Sequence, residues 1–259
     1  MTQLEVEIEN LSKGGFDHFM QKEIFEQPLT VMNSMRGRLN FESGQILLGG
    51  FQANIPFMRN ARRIMFISCG TSLNACLAVR PLYDELVHVP ISVENASDFL
   101  DRRPAVFRDD VCIFVSQSGE TADTLRAMEY VEERGALLVG FTNTVGSTIS
   151  HKTHFGAHLN AGPEIGVAST KAFTSQIVVM TLVALLLSDD VKSMQPRRQE
   201  IINGLGTLSS LIANALADLD KQMQELALRL KNAKSVLVLG RGYQLATAME
   251  AALKIKELT

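Results

Sequence analysis

Short apolar runs rich in β-branched residues recur along the chain between stretches of helical spacing. Two of them end in turns rich in glycine and hydroxyl residues. Residues 63–69 (RIMFISC) run into Gly70-Thr71-Ser72, after which 73–86 reads as a helix. Residues 89–93 form a second run, and 111–115 a third that enters Ser116-Gln117-Ser118-Gly119-Glu120-Thr121 and a helix to about residue 134. Residues 136–142 make a fourth, and a weaker fifth lies near 155–159. Strands of 4–8 residues separated by helices indicate βαβ units. The fold class expected is therefore α/β, a parallel sheet with helices on both faces.

The flanking regions are read more coarsely. Residues 16–40 look helical up to Gln27-Pro28, where the proline is expected to break the helix. The apolar run 177–187, with Thr181 inside it, falls short of the roughly 20 residues a membrane span needs, so it is expected to be a core helix. Residues 196–230 carry Ile and Leu at helical spacing and read as linker helices. The pattern then restarts: strand 235–239, a turn at Gly240-Arg241-Gly242 and a helix over 244–258. One β-α unit cannot bury both its faces, so the chain reads as cut short. The expected division is an N-terminal segment (1–50), a first domain (51–195), linker helices (196–230) and the start of a second domain (231–259).

Charge and cysteine usage narrow the partners. With 25 basic and 28 acidic side chains, the chain lacks the basic excess of a nucleic-acid binder. Neither nucleic acid nor membrane is expected as a partner. The start, MTQLEVEIENLSKGG, is not a signal peptide. Cys69, Cys76 and Cys112 are an odd, sparse set, which suits a reducing, cytoplasmic setting.

The sharpest chemical signal is the 116–121 loop: three hydroxyls, an amide and a glycine between a strand end and a helix start. Ligands bind at the carboxyl ends of strands in open α/β sheets, and a helix N-terminus suits a phosphate. Ser118 and Thr121 supply O–H donors for such an anion. A plain Ser/Thr helix cap with nothing bound is the competing reading. The 70–72 turn is a second loop of this kind. Residues 164–171 (EIGVASTK) are a third, where Ser169 or Thr170 would cap the following helix. No P-loop or complete dinucleotide fingerprint is present. His151, His154 and His158 have no carboxylate placed to complete a metal site, and the cysteines have no neighbouring base. No metal and no cofactor are expected.

These loops, together with Met20–Pro28 (MQKEIFEQP) and 164–174, resemble the isomerase half of a eukaryotic-type glutamine–fructose-6-phosphate aminotransferase, from about residue 15 to Thr259. That family makes glucosamine 6-phosphate, on the route to UDP-N-acetylglucosamine. The resemblance implies a sugar isomerase (SIS) domain used twice in tandem, each a five-stranded parallel sheet sandwiched by helices in three layers. Matching the family's motifs assigns hexose 6-phosphate contacts to Ser72, Ser116, Gln117, Ser118 and Thr121, with Val167 and Ser169 lining the pocket. It also assigns Glu257 as the base moving a proton between the first two sugar carbons, supported by Lys254. Glu250, Lys254 and Glu257 share one helical face by spacing; taken alone they read as a solvated salt-bridge face.

The chain departs from the family where no nucleophilic Cys follows Met1 and no glutaminase half is present. The family's ring-opening His and Schiff-base Lys would fall past Thr259, so this chain alone is expected to be catalytically incomplete. Leu73 and Ala251 replace an aromatic and a glycine. A homodimer is expected, with a separate glutaminase-domain chain as a further partner. The rivals are a non-catalytic sugar-phosphate sensor and a vestigial product.

Overall fold

The computed structural model describes residues 12–259. Strands β1 (Arg63–Ser68), β2 (Ile91–Asn95), β3 (Asp110–Ser116), β4 (Leu137–Thr142) and β5 (Phe155–His158) form one sheet in the order β2-β1-β3-β4-β5. Every pairing is parallel. The helices are α1 (Phe19–Met35), α2 (Gly49–Gln52), α3 (Ile55–Arg59), α4 (Gly70–Leu86), α5 (Ala96–Arg102), α6 (Ala122–Glu132), α7 (Thr148–Lys152), α8 (Lys171–Leu187), α9 (Gln195–Leu230) and α10 (Gln244–Leu258).

Successive strand residues point to opposite faces, and here both faces are covered. Ile64, Phe66, Val111, Ile113 and Val115 pack with α1, α4 and α8. Met65, Ile67, Cys112 and Phe114 pack with α5, α6 and α7. This is why the strands read as continuous apolar runs rather than alternating ones. Helix α8 is apolar nearly all round and almost wholly buried, and Tyr83 of α4 donates its hydroxyl to the Met180 carbonyl at 2.9 Å. The run 177–187 is thus a core helix as expected. No helix among the described residues is long and apolar enough to cross a membrane.

Three expectations need correction. Helix α1 does not break at Pro28 but continues to Met35. The ring leaves the Ile24 carbonyl without its N–H donor, and the Gln27 side-chain amide takes that place at 3.0 Å. Residues 195–230 are one helix of 36 residues, about 54 Å long, rather than several linkers. Its first part packs on α1 through Ile202 and Leu205, while Leu211, Leu219, Met223 and Leu228 are exposed. Residues 235–239 are not a strand: no strand of the sheet lies beside them, and Leu237 and Leu239 are each 82% exposed. Apolar sequence makes a segment suited to a ladder, but the ladder needs a partner. The reading of the first residues as lacking a signal peptide rests largely on 1–11, outside the described residues.

Candidate functional site

From β1 the chain crosses to β2 at one edge, and from β3 it proceeds to β4 and β5 at the other. The topological switch therefore lies between β1 and β3, neighbours in register from Arg63↔Asp110 to Ile67↔Phe114. In sheets of this order the crevice beyond the carboxyl ends at that point is where ligands bind. The segments that leave it are the 116–121 loop and residues 70–72, which are the first turn of α4 rather than the separate loop expected from sequence. Thr124 of α6 donates its hydroxyl to the sulfur of Cys69, just ahead of that turn, at 3.9 Å.

The 116–121 loop is folded on itself. Buried Ser116 Oγ lies 2.9 Å from Thr121 Oγ1 and accepts the Gly119 N–H at 3.0 Å. Ser118 Oγ accepts the Glu120 N–H at 3.2 Å. The Gln117 carbonyl accepts the N–H groups of Asn143 and Thr144 at 3.0 and 3.2 Å. Glu120 accepts the Thr148 N–H at 2.7 Å, and that bond holds its carboxyl below the usual carboxylate range. Thr121 stands at the N-cap of α6, yet its side chain makes no capping bond because it turns to Ser116. The first N–H groups of α6 have no acceptor within the helix, so this end keeps the donors and positive dipole that an anion needs.

Helix α10 docks on the start of α4. Glu250, buried, accepts from Thr71 Oγ1 at 2.9 Å and from Asn74 Nδ2 at 2.7 Å. Lys254 Nζ donates to Thr71 Oγ1 at 2.9 Å and to Glu257 at 2.5 Å, and sits 3.4 Å from Glu250. One hydroxyl thus donates to a carboxylate and accepts from an ammonium, within its capacity of one proton and two lone pairs. Beside it, Ser72 accepts from Gln176 Nε2 of α8 at 2.9 Å, while Gln176 Oε1 and Ser175 Oγ are buried with no partner among the described residues.

Residues 57–186, half of the chain, match the SIS domain family. The chain belongs to the SIS-domain family. Over 256 residues it is 56% identical to the isomerizing glutamine–fructose-6-phosphate aminotransferase 2 of Mus musculus, covering 99% of this chain and 37% of the relative. The match to the Saccharomyces cerevisiae aminotransferase is also 56%, over 99% of this chain and 36% of that one. The chain therefore spans well under half the length of these relatives. Among solved structures, the C-terminal domain of glucosamine-fructose-6-phosphate aminotransferase from Francisella tularensis superposes with a TM-score of 0.87 at 32% identity, covering 95% of this chain and 69% of that one.

The residues singled out from sequence fall into three groups, of which Lys254 and Glu257 lie past the 57–186 match. Ser116, Gln117, Ser118 and Thr121 share one loop. Ser72, Lys254 and Glu257 sit where α4 and α10 meet, and among the described residues no hydrogen bond or ion pair joins Lys254 or Glu257 to the 116–121 loop. Val167 and Ser169 lie on the third loop, with Val167 wholly exposed. There the cap of α8 is neither Ser169 nor Thr170, as the sequence suggested, but Glu164. Its carboxylate accepts the N–H groups of Thr170 and Ala172 at 2.8 and 3.2 Å and the Ser169 hydroxyl at 2.8 Å. A carboxylate gains more from a helix N-terminus than a hydroxyl does. Sequence reasoning missed Thr71 and Asn74 as contacts of Glu250, although Thr71 lies inside the 70–72 turn.

Two of the three histidines near the fifth strand take structural roles. His154 Nδ1 accepts the Leu138 N–H at 2.9 Å, and His158 Nδ1 lies 3.2 Å from Thr142 Oγ1. Among the described residues no three His, Cys, Asp or Glu side chains converge as metal ligands. Burial pushes the Cys76 thiol up to about 12 and raises that of Cys112, so neither supplies a thiolate near neutral pH.

Proposed function

We propose that this SIS domain binds a hexose 6-phosphate such as fructose 6-phosphate and contributes to its ketose–aldose isomerisation, the sugar half of glucosamine 6-phosphate synthesis. The single observation that carries the proposal is the placement of the hydroxyl-bearing first turn of α4 (70–72) and the 116–121 loop on either side of the β1–β3 switch point, with α10's Glu250–Lys254–Glu257 face docked on the former. In this reading Ser116, Gln117, Ser118 and Thr121 with the α6 N–H groups receive the phosphate. Ser72, Val167 and Ser169 border the sugar. Glu257 takes and returns the proton between the first two carbons, for which its carboxylate must come within about 3 Å of that proton. Lys254, 2.5 Å from Glu257, orients it. The same reading includes a homodimer and a glutaminase activity supplied by another chain or segment.

Calorimetric titration tests the binding step. Fructose 6-phosphate is expected to bind and fructose not, and Ser118→Ala with Thr121→Ala should weaken binding by about 30- to 700-fold, taking 1–2 kcal/mol per lost charge-assisted bond. Equal affinity for fructose and its phosphate would refute it. A second reading, a binding module without catalysis, is favoured by the exposure of Glu257 and its pairing with Lys254. Deuterium exchange at the first carbon of fructose 6-phosphate separates the two: exchange lost in Glu257→Gln supports catalysis, and binding without exchange supports the module.

A further inference from the structure

The motif Met20–Pro28 has no task in the site as described, yet two of its carboxylates leave α1 and reach the third loop. Glu23 is 2% exposed and accepts the N–H of Ile165 at 2.5 Å and that of Gly166 at 3.0 and 3.1 Å on its two oxygens. Glu26 pairs with Lys171, the first residue of α8, at 2.6 Å, and that lysine is 4% exposed. The contact is close enough to require glycine at 166, since a Cβ there would lie 2.5 Å from Glu23 Oε2 and 3.2 Å from the Met20 Cα. The same segment is held at its start by Asn143, which donates to the Gly162 carbonyl at 2.7 Å and accepts the Ala161 N–H at 3.1 Å. Its end is held by Glu164 capping α8. Between these two holds lies 165–167, where Ile165 is half-exposed and Val167 wholly exposed, before Ala168 is buried again.

We infer that Glu23 is a positioning residue: its buried carboxylate, acting through the Ile165 and Gly166 N–H groups, fixes the 164–170 loop against α1 and so sets where Val167 and Ser169 meet a bound sugar. This rests on the hexose phosphate reading above. Two N–H groups chelated by one buried carboxylate form charge-assisted bonds, and removing the carboxylate leaves both donors unpaired in a crowded place. The loop would then move while the phosphate loop, which has no bond to Glu23, stays put. Specificity for the sugar body should therefore suffer, and phosphate recognition should not.

The test uses the full chain and two readouts. In Glu23→Ala, the amides of Ile165 and Gly166 are expected to exchange with solvent on the order of 100-fold faster, with those of β1 and β3 unchanged. By calorimetry, affinity for fructose 6-phosphate should fall about tenfold or more, while affinity for inorganic phosphate stays within about twofold. Glu23→Gln keeps one acceptor oxygen and should recover part of both effects. Gly166→Ala keeps the carboxylate but wedges the loop away from it, and should reproduce the selective loss; it also carries the test if Glu23→Ala does not fold. Unchanged exchange in Glu23→Ala would overturn the inference. So would faster exchange with the two ligands weakened equally, or with neither weakened. If the unmodified chain binds no hexose phosphate, the proposed function falls with it, a failure visible before any variant is made.

Discussion

Replacing Gly119 by alanine probes the 116–121 loop without removing any hydrogen-bonding group. Gly119 sits at φ +70°, and an added Cβ would lie 2.1 Å from Ser147 Oγ, 2.5 Å from Ser147 Cβ and 3.0 Å from Thr142 Cγ2. The left-handed conformation costs a non-glycine residue about 1–2 kcal/mol, and overpacking a buried contact costs roughly 1–3 kcal/mol. The expected loss is about 2–5 kcal/mol from a domain whose whole stability is on the order of 5–15 kcal/mol. Urea unfolding followed by circular dichroism measures it, with the slope checked for constancy. The contributions separate in a double-mutant cycle with Ser147→Gly, which removes the Ser147 clash and leaves the backbone strain and the tight Thr142 contact. A coupling of about 1–3 kcal/mol is expected, because the residues are in direct contact. A loss below about 0.5 kcal/mol in Gly119→Ala, the range of an ordinary surface change, would refute the geometry of the loop. Zero coupling would refute the contact with Ser147.

Further outcomes follow from single contacts. Gln27→Ala should cost about 1 kcal/mol by orphaning the Ile24 carbonyl, and nearly nothing in a Pro28→Ala background where a backbone N–H is restored; thermal melts of the four proteins decide it. Glu120, held below its ordinary value of 4.5 by the Thr148 N–H, contributes stability that is present above that value and is lost as pH falls through the lowered one. The stability difference between the chain and Glu120→Gln should therefore be full near neutrality and shrink at acid pH; a gap that widens on acidification would contradict the sign. Leu237→Asp should leave unfolding stability within about 0.5 kcal/mol, since that side chain is exposed. A large loss would mean that 235–239 is paired in solution.

The central strands β1, β3 and β4 were readable because each is an apolar run with both faces buried, bounded by turns. β3 shows this best, with every residue from Asp110 to Ser116 buried between two helix layers. The helices that follow the strands were legible too, although α4 begins at Gly70 and takes in the turn expected before it. What stayed hidden was whatever depends on partners far away in sequence. Pro28 looks like a break until the Gln27 amide is seen to replace the missing donor. Residues 235–239 have strand composition, but composition carries no information on whether a neighbour exists. The attachment of α10 to α4 spans 176 and 179 residues through Asn74, Thr71 and Glu250, and no periodicity announces it. The cap of α8 was misplaced because Ser169 and Thr170 adjoin the helix, whereas Glu164 reaches it by folding back over a loop.

The burial of α8 has a consequence for how the chain is born. Its Gln176 meets Ser72 across 104 residues and its Met180 carbonyl meets Tyr83 across 97. On a ribosome adding about 5–20 residues per second, the 101 positions between Leu86 and Leu187 take roughly 5–20 s to appear. Over that interval β1, α4 and β3 emerge with one face of the sheet covered only in part, by α1 and α4, and the surface that α8 will cover is open to water. The fold closes only when a late, greasy helix slides between elements made earlier. Synthesis of this protein therefore passes through a sticky, half-covered species, and substitutions that delay the seating of α8 should lower soluble yield more than they lower the stability of the finished molecule.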